Sequence, residues 1–284
     1  MMSGLEATIQ GRRGRRVLAA AGLAAVLLGL AACGPGPDPD RMVEAPPPDP
    51  GAAYQGPPQP MGARLEAGRL VLSGQARPDG RVRVIMIPDP APIWTTADGT
   101  GAFSASLPPG TGPRLLALAM EIPVSGQAAR MVQAEGYVFV APDGRAALLR
   151  AGAGARVLAR PDGGIQILAL DYDRAGGVVI SGLAPAGTAL NTQVDGVSRG
   201  RSAADTQGRY AIALEPLGPG QHRFEVAGGG RMATASLQIS PAAALSQPYR
   251  AEPAGAGWRI DWMTPGGGLQ STLVLPAAGV GPGR

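Results

Sequence analysis

Hydrophobic residues alternate with polar ones in several short runs of this chain, and the same runs occur twice. In "RLVLSGQARPDGRVRVIMI" (69–87), Leu70 and Leu72 share one strand face, and after a turn Val82, Val84 and Met86 share another. "GVVISGLAPAGTALNTQV" (177–194) repeats the pattern: Ser73-Gly74 matches Ser181-Gly182, Ala76 matches Ala184, and Gly80 answers Gly187. Downstream of each copy comes a second motif, "ADGTGAFSASL" (97–107) and "ADTQGRYAIAL" (204–214). Gly74 precedes Asp98 by 24 residues and Gly182 precedes Asp205 by 23, so the two motifs recur in register and mark an internal duplication.

Each Asp is placed to accept a backbone N–H two residues on, and the Gly three residues later to take the positive φ that closes the turn. Phe103 and Tyr210 then open a strand, with Ala105 and Leu107, or Ile212 and Leu214, on the same face. A calcium loop needs six to eight oxygen ligands, and each copy offers one carboxylate, so turn chemistry is preferred to a metal site. A third alternating run, "GWRIDWMTPGGGLQSTLVL" (257–275), places Trp258, Ile260 and Trp262 on one face and returns through Pro265-Gly266-Gly267-Gly268 to Leu273 and Leu275. Read as a phosphate loop, that glycine run lacks both a lysine and a following helix.

Two segments do not alternate. Residues 17–33 ("VLAAAGLAAVLLGLAAC") are uncharged behind Arg12, Arg13, Arg15 and Arg16. They are too short to span a bilayer comfortably, as expected of a signal peptide. Leu30-Ala31-Ala32-Cys33 resembles the lipobox of bacterial lipoproteins, which implies lipidation of Cys33 and cleavage before it; the plainer reading is a secretory signal with an incidental cysteine. Gly34 follows, with no Asp to suggest inner-membrane retention, so the resemblance implies the periplasmic face of the outer membrane. Residues 34–62 hold ten prolines and almost no apolar periodicity, and read as a disordered tether rather than a folded segment.

Composition narrows the chemistry. All 25 basic residues are arginine, which excludes a Walker A loop, a Schiff-base lysine and a Ser-Lys dyad. Without residues 1–32 there remain 21 arginines against 20 acidic residues, so the formal charge of +4 belongs mostly to the leader and nothing suggests nucleic acid. Cys33 is the single cysteine, so no intramolecular disulfide is available, and a single histidine rules out multi-histidine metal sites. With 44 Gly, 29 Pro and 4% aromatics, the chain suits short strands and tight turns.

The segment 171–226 resembles the Ig-like β-sandwich modules of proteobacterial envelope proteins, particularly those that accompany a LysM domain. The resemblance rests on Tyr172-Asp173, Ser181-Gly182, Asp195-Gly196, Asp205 to Tyr210, and Pro219-Gly220-Gln221-His222. It extends loosely to 64–141, and no LysM segment is present, so peptidoglycan binding is not implied.

Among candidate chemical groups, His222 is in phase with Phe224 and Val226 and reads as a strand histidine beside the core, with no nucleophile motif to partner it. Asp171 and Asp173 share a strand face and could mimic paired carboxylates, but lie directly before "RAGG" and are better placed to open a hairpin. Trp258 and Trp262 form either a platform for a sugar or protein partner or a cap on the second module.

These readings predict an all-β chain. A signal peptide (1–32) and a lipidated Cys33 with its tether (33–63) precede two tandem Ig-like antiparallel sandwiches (64–141 and 142–240), and a C-terminal hairpin with tail (241–284) docks on the second. Residues 142–170, which include "AALLRAGAGARVLARPDGGIQILAL", have strand-like runs that fit either module. The expected protein is a non-enzymatic envelope lipoprotein, held to the membrane by its lipid and serving as scaffold or adaptor for an envelope protein, with no cofactor and no metal. The alternative is a module that binds peptidoglycan or another glycan through Trp258 and Trp262.

Overall fold

The computed structural model describes residues 56–277 apart from 90, 125 and 160–162; the leader, Cys33 and the tether up to residue 55 lie outside the described residues. The first module begins with β1 (Gln59–Glu66), β2 (Arg69–Gln75), β3 (Arg81–Ile87), β4 (Pro92–Thr96), β5 (Ala102–Ser106), β6 (Arg114–Ile122) and β7 (Arg130–Val140). β8 (Ala146–Leu149) and β9 (Arg156–Val157) follow. The second contains β10 (Gln166–Asp173), β11 (Val178–Leu183), β12 (Ala189–Val194), β13 (Val197–Ala203), β14 (Arg209–Leu214), β15 (Gly220–Gly228) and β16 (Arg231–Ile239). β17 (Tyr249–Ala254), β18 (Gly257–Met263) and β19 (Leu269–Val274) close the chain. No described residue is helical, and every strand pairing is antiparallel.

The duplication is visible strand by strand. A three-stranded sheet β1-β2-β5 faces β4-β3-β6-β7 in the first copy, and β10-β11-β14 faces β13-β12-β15-β16 in the second. Each is a seven-stranded Ig-like sandwich. The two sequence motifs are cross-strand partners: Gly74 lies opposite Phe103 and Gly182 opposite Tyr210. A Cβ on Gly74 would overlap the Phe103 ring, and one on Gly182 would approach the Tyr210 hydroxyl to 2.7 Å and fall on the Gln166 carbonyl. The glycine of one motif therefore makes room for the aromatic of the other, which is why their spacing is preserved.

Each copy then acquired strands beyond its sandwich. β8 and β9 extend the first module past β7, and β19, β18 and β17 extend the second past β10, giving two six-stranded sheets, β4-β3-β6-β7-β8-β9 and β14-β11-β10-β19-β18-β17. The division therefore falls between β9 and β10, not at 141/142, and the C-terminal hairpin is not docked on the second module but hydrogen-bonded into its sheet through β10. The first strand starts at Gln59, inside the segment read as tether, because residues 59–66 pair with β2.

Four sheets stack on three cores. Leu72, Val84, Leu118, Val138 and Leu148 fill the first sandwich; Leu170, Tyr172, Ile180, Phe224 and Leu273 fill the second. A third core lies between the two six-stranded sheets, with Leu115, Phe139, Ala147 and Leu149 on one side and Ala169, Ile260, Trp262 and Val274 on the other. Sheets buried on both faces carry apolar residues at consecutive positions, which explains runs such as "YVFVA" and "AALL". The described residues accordingly form one compact unit.

One correspondence differs by a residue from the sequence alignment. The Ala97 N–H bonds the Gly80 carbonyl as the Ala204 N–H bonds that of Thr188, so Gly80 aligns with Thr188 and Asp79 with Gly187. Asp79 and Gly187 both have positive φ, 56° and 72°.

Candidate functional site

The side chains singled out in the sequence converge, in large part, on the junction between the two modules. Trp262 has no exposed surface and meets Tyr137 edge-on at 5.9 Å; Trp258 is half-buried against Phe139 at the same centroid distance. The sheet face they share is covered by β7, so no sugar ring can stack on Trp262. The exposed tryptophan is Trp94 on the edge strand β4, with the Arg81 guanidinium 4.5 Å above its ring.

Trp262 also opens a chain of buried hydrogen bonds. Its Nε1–H donates to Thr272 Oγ1 at 3.0 Å, and the Thr272 hydroxyl donates to Asp171 Oδ1 at 2.6 Å. Gln270 Nε2 donates to the same oxygen at 2.8 Å, while Oδ2 accepts the Ala155 N–H of the first module at 2.5 Å. Ser181, from the Ser-Gly motif, donates to the Ala155 carbonyl at 2.5 Å, and the Gly152 N–H reaches Gln270 Oε1 at 3.2 Å. The β8–β9 turn is thus held by both its N–H and C=O groups in a receptor built from β10, β11 and β19. Burial pushes the Asp171 carboxyl pKa up, opposed by these three donors and by Arg150. Asp171 is a structural anchor, not half of a carboxylate pair: Asp173 turns away to accept the N–H groups of Ala175 and Gly177.

Asp98 and Asp205 occupy the turns expected of them. Asp98 Oδ1 accepts the Thr100 and Ala102 N–H groups, Asp205 Oδ1 those of Gln207 and Arg209, and Gly101 and Gly208 sit at φ 86° and 72°. The Thr100 hydroxyl and these N–H groups hold the Asp98 pKa below its ordinary value. Among the described residues no cluster of His, Cys, Asp or Glu could hold a metal. Thr264 and Gly268 bond to each other across the Pro265–Gly268 turn.

His222 does find a carboxylate, which the sequence did not disclose because Asp195 lies on another hairpin. Nδ1 is 2.7 Å from Asp195 Oδ2 and Nε2 is 3.0 Å from the Gly218 carbonyl, with the ring edge-on to Phe224. Asp195 also accepts the Arg223 N–H, so the group ties the β12–β13 turn to β15 and to the loop before it. Both ring nitrogens face acceptors, an arrangement that favours imidazolium, and the Asp195 hydrogen bond raises the His222 pKa above 6.5.

A cleft of about 420 Å³ opens at one flank of the junction, between β9 and β14. Arg150, Arg156 and Arg209 line it, facing the carboxylates of Glu135 and Asp205. No motif marks these arginines; only the stacking of the two modules brings them together.

Seven strands in each of two duplicated sandwiches, fused through added strands, define the protein as a tandem Ig-like all-β protein. No protein-family model matches the chain, and no curated protein matches it. Solved structures similar to it include a BSP domain of a biofilm-associated protein, at 15% identity over 66% of this chain and 30% of that one, with a TM-score of 0.22. Others are the central fibronectin-III array of RIM-binding protein (13% identity, 80% and 88% covered, TM-score 0.24) and invasin, a bacterial integrin-binding protein (10%, 78% and 54%, TM-score 0.20). The chain thus spans less than a third of the length of the first of these. At such low scores the assignment of fold rests on the strand order.

Proposed function

We propose that this protein is a non-enzymatic scaffold of the bacterial cell envelope, anchored through a lipid on Cys33 and presenting its paired sandwiches to a protein partner. The observation that supports this reading best is the junction itself. Asp171 and Ser181 bond Ala155, Gln270 bonds Gly152 and Trp262 packs on Tyr137, so these side chains bind the two modules together instead of facing a substrate. A tether some 25 residues long, followed by one compact unit, suits a part whose task is to hold a surface away from a membrane. The exposed Trp94 edge, with Met232 and Val197 among the other exposed apolar side chains, offers contact surface for such a partner.

The test joins anchoring to partnership. Cys33→Ser is expected to abolish labelling by a fatty-acid probe and release the chain from membranes while leaving its fold intact. In-cell crosslinking of the lipidated chain is expected to capture a discrete envelope protein, and purified sacculi to retain none of the soluble form. Retention of labelling in Cys33→Ser would overturn the anchor; sacculus binding without a crosslinked partner would overturn the scaffold.

A further inference from the structure

We propose that the cleft between β9 and β14 is an oxyanion-binding site, in which Arg156 and Arg209 hold the carboxylate or phosphate of a small ligand that bridges the two modules. Three arginines and two carboxylates line the cleft, so one positive charge is left over. The partners already taken show which cations are uncommitted. Arg150 directs Nε and Nη2 to the carbonyls of Gly154 and Ala153 and stands 4.0 Å from Glu135. Asp205 spends Oδ1 on its own turn. Arg209 bonds only the neutral Gln207 side chain, at 2.8 Å. Arg156 has a buried Nε without a partner, although it lies half-buried where an unpaired guanidinium is costly.

Like charges make the gap more acute. Burial lowers the Arg156 pKa, and Arg209 and Arg150 lower it further, against Glu135 and Asp205, which raise it. An anion seated between Arg156 and Arg209 would offset that repulsion, supply the acceptor that Arg156 Nε lacks, and give Arg209 a charged partner beside the neutral Gln207. The apolar wall of Val157, Leu168 and Leu183 fits a ligand with a short hydrocarbon body behind one anionic head. Arg156 belongs to the first module and Arg209 to the second, so occupancy would fasten the junction.

Calorimetric titration of the full chain with inorganic phosphate and, separately, with N-acetylglycine tests this, ionic strength being held constant with sodium chloride. Saturable binding of phosphate assigns the site to phosphate-bearing ligands, and of N-acetylglycine to carboxylate-bearing ones. Arg156→Gln and Arg209→Gln are each expected to weaken binding at least tenfold, whereas Arg81→Gln, over Trp94, leaves it unchanged. The Arg209 variant keeps the test independent of folding, since that side chain bonds only Gln207; a circular-dichroism melt of each variant verifies this. Absence of saturable binding for both probes, or equal binding by wild type and both cleft variants, overturns the proposal.

Discussion

At the scale of single residues, this protein assigns its reactive-looking side chains to holding loops in place. Asp171 receives three donors from two elements, two from β19 and one from the β8–β9 turn of the other module. Asp171→Ala strands those donors in a dry interface and is expected to destabilise the protein by about 3 to 5 kcal/mol. Asp171→Asn retains the shape but turns an NH₂ toward at least one donor, and is expected to cost about 1 to 3 kcal/mol in urea denaturation at neutral pH. Because burial raises the Asp171 pKa, the native state holds its proton more tightly than the unfolded chain does. That contribution favours folding below the unfolded carboxyl pKa and declines as pH rises toward the folded one. His222 is raised as well: its contribution is fully present below 6.5 and is lost as pH climbs through the folded value. NMR titration is expected to give a His222 pKa above 6.5 in the native chain and a lower one in Asp195→Asn. Equal values in the two proteins would show that the pair does not set it.

At the scale of elements, what could be read from the sequence was local. The Asp-Gly turns and the strands after them needed only neighbouring residues, and their recurrence in register gave the duplication. The glycine–aromatic pairing that explains this register became visible only once β2 lay beside β5 and β11 beside β14. Gly182→Ala is expected to lower stability by about 3 kcal/mol or more, since the added methyl meets a backbone carbonyl that cannot move without opening β10 from β11. Ala substituted at Gly196, where a Cβ would touch nothing, is the matching control for steric overlap, although its φ of 80° adds backbone strain of its own. A thermal melt of both variants separates the two causes. The strands of 142–170 resisted assignment for a physical reason. β8 and β10 are covered on both faces, and period-two alternation vanishes when there is no solvent side. Alternation likewise put Trp258 and Trp262 on one face correctly, but it cannot say that β7 lies over that face.

At the scale of the whole molecule, the third core makes two modules behave as one. Removing residues 241–284 would uncover Phe139, Leu115 and Ala169 and take away the partners of Asp171. The truncated chain is expected to aggregate or to bind a hydrophobic dye, not to survive as two tidy sandwiches. For the intact chain, calorimetry is expected to show a single transition whose van't Hoff and calorimetric enthalpies agree. Two resolved transitions would mean that the junction contributes little and that the modules are merely adjacent. The polar rim works in the same direction, with the Tyr249 hydroxyl donating to the Pro113 carbonyl and Arg145 to that of Ala256.

The place of β19 in its sheet bears on how the chain is made. β19, the last strand among the described residues, is an interior one, flanked by β10 and β18. A ribosome releases β10 about a hundred residues before it releases β19, an interval of roughly 5 to 20 s at ordinary elongation rates. Throughout that interval the strand has an unfilled edge, and the apolar outer face of β6 and β7 has no cover. A chain cut short between Asp173 and Leu269 stays in that adhesive condition, open to pairing with its own kind. β19 therefore seals this sheet, and a copy that stops between β10 and β19 is physically distinguishable from one that holds β19 by its surface alone.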